Sequence, residues 1–279
     1  DTETKSGYVT VSSPPGPGGD KYYSSFLATT TVPGVGTVRD EDVVTYDPSS
    51  GTWALYFDGS DVGIGGTDIN ALHVLDSGDL VLSFNATSFS VPGLTGGPNG
   101  TAVEDSDLVI FTFSQSGPNT AGSFSFIFDG SDVGLTTNGE DIDGVYEFPG
   151  GGLLISTLGS AGVSGLSGVR DEDVMLFSAT QYGATTAGTF AMHFDGSDVG
   201  FSTNSGEDLY ALTMDGSGSM LFSTAGDWSA SGGAGADEDV GRFTGTFGAA
   251  TSGSASLELD LSALGIDVSE DIDGLYYGP

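Results

Sequence analysis

The stretch Asp40-Glu41-Asp42-Val43 returns as Asp105-Ser106-Asp107-Leu108, as Asp171-Glu172-Asp173-Val174 and as Asp237-Glu238-Asp239-Val240, at spacings of 65, 66 and 66 residues. A period this regular marks one structural unit used four times. A second string, FDGSDVG, stands at 57–63, 128–134 and 194–200 with no letter changed. A loop that only reverses the chain tolerates drift among Gly, Asn, Asp and Ser, so this identity points to a shared task.

Inside each unit the order of segments is constant. A strand follows the acidic marker (Val43 to Tyr46, Leu108 to Phe113, Val174 to Ser178, Val240 to Thr244), and a turn rich in Gly, Ser and Thr comes next. A second strand ends at the FDGSDVG string, with Asp58, Asp129 and Asp195 in register and a degraded Leu259-Asp260-Leu261-Ser262 in the last unit. A third strand begins at Asp68-Ile69, Asp141-Ile142, Asp208-Leu209 and Asp271-Ile272; a fourth follows over Asp79 to Phe84, Gly152 to Thr157 and Gly218 to Thr224. Apolar alternation supports strands throughout: Trp53, Leu55 and Phe57 face one way while Ala54 and Tyr56 face the other, and Phe124, Phe126 and Phe128 repeat the pattern. There is no long helical pattern.

Four short antiparallel strands per repeat define an all-β chain and a β-propeller of four four-stranded blades. The last unit, Asp237 to Pro279, is 43 residues long and stops after its third strand. The chain begins with Gly7-Tyr8-Val9-Thr10-Val11-Ser12-Ser13, then a loop ending in Gly36-Thr37-Val38-Arg39 before the first marker, which matches the order Gly152 to Thr157, Gly168-Val169-Arg170, third marker. This pattern resembles the closure of the β-propeller family, whose last blade is completed by a strand from the other end of the chain. The resemblance implies a single domain over 1–279, with blade 1 at about 40–86, blade 2 at about 105–157, blade 3 at about 171–224, and blade 4 at about 237–279 plus 7–13. The N-terminal strand could close its own ring or enter a neighbour's, with Pro14-Pro15-Gly16-Pro17-Gly18-Gly19 as the hinge. The second route is donor-strand exchange and would build a filament by self-association.

The chain carries 5 basic against 39 acidic side chains, a formal charge of -34, and no cysteine. That excludes disulfides and thiolate chemistry and argues against nucleic acid and anionic membrane surfaces as partners. No apolar run approaches a membrane span, so direct insertion is not expected. The sequons Asn85-Ala86-Thr87 and Asn99-Gly100-Thr101 suit a secreted or cell-surface chain, which would start here in mature form.

In each four-stranded unit the start of the first strand, the end of the second and the start of the third share one edge of the sheet. The candidate metal ligands gathered there are Asp40, Asp42, Asp58, Asp61 and Asp68; Asp105, Asp107, Asp129, Asp132, Glu140 and Asp141; Asp171, Asp173, Asp195, Asp198, Glu207 and Asp208; and Asp237, Asp239, Asp260, Glu270 and Asp271. Crowded carboxylates raise one another's pKa, and a hard cation relieves them. Calcium, with ~6–8 oxygen ligands in flexible geometry, is the expected cofactor, and FDGSDVG reads as half of its site. The competing reading is a set of ordinary turns on a highly acidic, halophilic surface. Ala263 replaces the second Asp in the last unit, and Thr67 stands where Glu140, Glu207 and Glu270 stand elsewhere.

Catalysis breaks symmetry, whereas these acids recur in every repeat; His73 and His193 read as strand side chains. The sequence is therefore read as a non-enzymatic, calcium-stabilised structural or adhesive module of a surface layer, matrix or filament. A carbohydrate-binding propeller is the alternative, with Trp228 and Tyr22-Tyr23 as the aromatics for a glycan, and a glycoside-active enzyme the third.

Overall fold

A computed structural model describes residues 19–202 and 206–279. Its principal strands form four antiparallel four-stranded sheets. The first sheet runs, from the inside outward, Ile69–Val74, Leu80–Phe84, Leu108–Gln115, Ala121–Phe128; the second Ile142–Phe148, Gly152–Thr157, Val174–Gln181, Ala187–Phe194. The third runs Ala211–Met214, Met220–Ser223, Val240–Thr246, Ser252–Leu259, and the fourth Ile272–Gly278, Lys21–Phe26, Val43–Asp47, Thr52–Phe57. The four innermost strands meet around a common axis. The protein is a four-bladed β-propeller.

Each blade is sandwiched between two others, so both of its faces are apolar. The buried side chains fall into four clusters, one at each junction between neighbouring sheets. The Thr52–Phe57 strand shows how one segment serves two of them. A register shift opposite Val43 and Val44 sends Trp53 into the cluster shared with the third sheet and Phe57 into the cluster shared with the first.

The blades do not coincide with the sequence units. A unit of about 65 residues was expected to fold as one blade, with boundaries near 40–86, 105–157, 171–224 and 237–279. In the structure each of the first three units gives its first two strands to the outer half of one sheet and its last two to the inner half of the next, and the fourth unit gives its third strand to the axis of the fourth sheet. The reason lies in the connections. The segment after the last strand of a unit folds back to pair it with the next marker strand, as in Leu82 opposite Val109 and Ile155 opposite Met175. FDGSDVG instead forms a short 3-10 turn ended by a left-handed glycine (Gly63, Gly134 and Gly200, φ 83°, 102° and 105°) and carries the chain from the outer edge of one blade to the axis of the next.

The ring closes where the C-terminal strand Ile272–Gly278 pairs with Lys21–Phe26, Tyr23 opposite Tyr276, and Lys21–Phe26 pairs in turn with Val43–Asp47. The chain's own segment 21–26 occupies the place next to the C-terminal strand. The strand expected at 7–13 lies outside the described residues.

Candidate functional site

The repeated acids separate into three groups by what their oxygens touch. The third residue of each marker binds backbone amides. Asp42 accepts from Arg39 N (3.0 Å) and Gly59 N (3.1 Å), Asp107 from Glu104 N (2.8 Å) and Gly130 N (3.2 Å), Asp173 from Arg170 N and Gly196 N (both 3.0 Å), and Asp239 from Ala236 N (3.0 Å). Asp42, Asp107 and Asp173 thus each fasten the start of one strand to the FDGSDVG turn that ends its partner. The glycine inside that turn is obligatory: a Cβ on Gly59, Gly130 or Gly196 would stand 2.3, 2.3 or 2.4 Å from a marker carbonyl oxygen.

The two Asp residues of FDGSDVG make the second joint, between blades. The first one caps its own turn, Asp129 and Asp195 each accepting a serine hydroxyl at 2.7 Å. Its backbone N–H reaches a threonine in the outer hairpin of the next sheet: Asp58 to Thr120 (2.9 Å), Asp129 to Thr186 (2.8 Å), Asp195 to Thr251 (2.9 Å). The second Asp takes the amide of the same threonine, Asp132 from Thr186 at 2.8 Å and Asp198 from Thr251 at 2.9 Å. Asp61, in the corresponding place, is exposed. The threonine hydroxyl donates in turn to Gly117, Gly183 or Gly248 O at 2.7 to 2.9 Å.

The last unit explains its own departures. The outer hairpin of the fourth sheet, 47–52, is short: its strands have 5 and 6 residues where the first sheet's outer pair has 8 and 8. The one threonine of that hairpin, Thr52, pairs its hydroxyl with Ser50 Oγ at 2.7 Å, and Ala263 stands where the other turns carry their second carboxylate. Asp260 still caps its turn, accepting from Ser262 Oγ (2.7 Å) and Ala263 N (2.8 Å). The closing junction is held differently: Tyr22 OH donates to Glu258 at 2.9 Å, and Arg242 bonds both Glu258, at 2.7 Å, and Asp215. These are the ion pairs found among the described residues; Arg39 and Arg170 are exposed.

The glutamates before the inner strands also hold loops. Glu140 accepts from Thr136, Thr137 and Gly162 amides (2.7, 2.9 and 2.8 Å), Glu207 from Ser202 and Ser229, and Glu270 from Ala28 (2.9 Å). Burial alone would raise Glu140, but these amides outweigh it and hold its carboxyl below the usual value.

The third group surrounds the axis. Asp68, Asp141, Asp208 and Asp271 stand at the heads of the four inner strands. The first marker residues Asp40, Asp105, Asp171 and Asp237 lie beside them, positioned for three of the four by a carbonyl that accepts from Ile69, Ile142 or Leu209 N at 3.0 to 3.1 Å. Burial pushes Asp68 and Asp271 up to about 7 and Asp141 and Asp208 up to about 8, and the neighbouring carboxylates add to the rise. Two residues on, Asn70, Asp143 and Asp273 each sit at a register shift in the inner strand, with Tyr210 at the matching position. A bulge re-aims a side chain. Here each reaches the ring Asp of the next blade: Asn70 meets Asp141, Asp143 meets Asp208, Tyr210 meets Asp271 and Asp273 meets Asp68.

Asp143 and Asp273 are each 1% exposed, and neither oxygen of either accepts a hydrogen bond of ordinary geometry. Burial first, then the facing carboxylates, drive both well above the ordinary range; the Ser156 hydroxyl beside Asp143 eases it in part. Among the described residues no three His, Cys, Asp or Glu side chains are already drawn together as a ligand cage. The available signal for these two acids is the string Glu-Asp-Ile-Asp-Gly, identical at 140–144 and 270–274. A carboxylate in mid-strand carries no turn signature, so the sequence reading ends at Asp141 and Asp271.

The aromatics considered for a glycan are interior. Trp228 is 1% exposed and packs on Phe222 and Phe201, and Tyr22 and Tyr23 are each 6% exposed.

No family model matches the chain, and no curated protein matches it. Among solved structures it is similar to two described as the extracellular domain of BT4673 from B. thetaiotaomicron, one named a one component system and the other a hybrid two component system. Identity is 11% and 14% and the TM-score 0.20 and 0.23, over 75% and 78% of this chain. The chain spans 26% and 33% of those two chains.

Proposed function

We propose that the protein is a non-enzymatic, extracellular structural or adhesive module, a propeller stabilised by calcium. The observation that carries this reading is the use of the acids. They recur in every unit and are built into the joints of the fold, while those at the axis lack any basic partner. A hard cation suits that oxygen-rich, uncompensated end of the ring. Exposure of Asn85 and Asn99, the acceptors of the two sequons, favours the extracellular side of the reading.

The test is the unfolding midpoint in calcium and in excess chelator at fixed ionic strength. A ligand at a hundred times its Kd adds about 2.7 kcal/mol to a folded state that alone binds it, several degrees in Tm for a domain of this size. A calcium-specific rise is expected. Equal midpoints, with stabilisation only by molar monovalent salt, would make the acidity an adaptation to brine.

A further inference from the structure

The joints leave one set of acids without a basic partner or a hydrogen bond of ordinary geometry, and it lies on the axis. Asp143 belongs to the second sheet and Asp273 to the fourth, across the ring from each other, and the strands that carry them touch. Between them the other two sheets supply neutral groups: Asn70, whose amide nitrogen donates to Ile142 O at 3.1 Å and so leaves its carbonyl oxygen over, and Tyr210, adjacent to both carboxylates. The four ring aspartates stand one step further out.

A buried carboxylate is normally held by amides, paired with Arg or Lys, or neutralised. The repeats themselves provide the comparison. Asp42, Asp107 and Asp173 are equally enclosed, 6, 6 and 3% exposed, and each satisfies both oxygens with amides. Asp143 and Asp273 do not. Arg242 is occupied at the closing junction, and Arg39 and Arg170 point outward. What remains at the axis is a set of carboxylate, amide and phenol oxygens with no basic side chain among them, which is the donor set of calcium rather than of zinc or copper.

We propose that the propeller axis binds one divalent cation of calcium type between Asp143 and Asp273, with Asn70 and Tyr210 beside it and Asp68, Asp141, Asp208 and Asp271 as the acidic mouth through which it enters. This rests on the calcium reading above and fixes its place. The ion would tie all four inner strands together at the point where their like charges otherwise push them apart, so that one ion acts on the whole ring. The joints made by FDGSDVG need no ion.

Terbium, which takes calcium sites and is sensitised by a nearby tyrosine, reads the axis directly. Full-length protein titrated with terbium should give tyrosine-sensitised luminescence that calcium displaces. Asp143→Asn with Asp273→Asn, near-isosteric, should weaken terbium binding at least tenfold, abolish the calcium-dependent rise in Tm and raise the midpoint in chelator above that of the parent. Tyr210→Phe should cut the luminescence while the calcium rise in Tm persists, a readout available even if the double variant folds poorly. If the double variant keeps the parent's luminescence and calcium response, the ion lies elsewhere: the axial site is wrong and the calcium reading stands. If the parent shows neither response, both fall.

Discussion

Thr186 carries more of the fold than its size suggests. Its hydroxyl accepts from Asp129 N and donates to Gly183 O, and its amide donates to Asp132, so one buried residue joins two blades through two bonds and ties its own hairpin with a third. Replacing it by Val keeps the volume and leaves a buried N–H and a carbonyl unpaired, at a cost of ~1–3 kcal/mol each when unsatisfied. Denaturant unfolding of Thr186→Val should show that loss. Thr180→Val, on an exposed strand end, should stay within about 0.5 kcal/mol of the parent. A second residue argument concerns acid. His73 is fully enclosed, its ring set edge-on between Tyr146 and Tyr276 at 5.0 Å from each, with Nδ1 unpartnered. Burial pushes it down to about 3 from 6.5. The folded state refuses a proton that the unfolded chain accepts, so His73 leaves stability untouched above pH 6.5 and subtracts from it as pH falls toward 3, by about 1.4 kcal/mol per unit. The two tyrosines are raised by burial and stay neutral across that window; Asp76 lies beyond them. The difference in stability between His73→Phe and the parent should therefore widen from pH 6.5 to pH 4 in favour of the variant, and a constant difference would refute the assignment.

At the scale of elements, the turns decide where blades begin. The order of strands within a unit was legible from alternation and period, because it follows from a residue's own chemistry; the closing strand, expected at 7–13, stands at Lys21–Phe26, inside a stretch read as loop. The partition into blades was not legible. Both connections of a unit join antiparallel neighbours in sequence, and nothing in FDGSDVG itself tells a hairpin from a crossover. What separates them is contact made at a distance, such as Asp129 N to Thr186, 57 positions later. The axial pair was hidden for the same reason: Asp143 reads as one alternating position in a strand until the ring folds around it. The crossover turn gives a sharp test of element geometry. In Gly130→Ala the new methyl would meet Ser106 O at 2.3 Å and Ser106 Cβ at 2.6 Å, while Gly139→Ala meets nothing within 4 Å and needs no left-handed backbone. The first should cost ~1–3 kcal/mol or more by overpacking. The second should be neutral or gain a few tenths to ~1 kcal/mol through the unfolded chain. Thermal melts of the pair would settle whether the turn is held as tightly as the structure has it.

On the scale of the molecule, the ring has one seam, and it is unlike the other three junctions. Three are locked by a threonine in the outer hairpin; the fourth relies on Tyr22, Glu258 and Arg242 and on the pairing of Ile272–Gly278 with Lys21–Phe26. The C-terminal strand also supplies Ile272 and Leu275, both wholly buried, to the cluster between the third and fourth sheets. Removing residues 272–279 therefore takes away the innermost strand of one blade, part of a core, and Asp273 from the axis. A repeat array left open would lose one unit's worth of packing and keep the rest, since neighbours in a solenoid stabilise one another locally. A closed ring behaves otherwise, because the axis is shared by all four inner strands. The truncated chain is expected to lose its cooperative unfolding transition and near-ultraviolet circular dichroism, and a peptide of residues 270–279 added at high concentration should restore both in part. Retention of a sharp transition a few degrees below that of the parent would mean that the blades stand independently and the seam is dispensable.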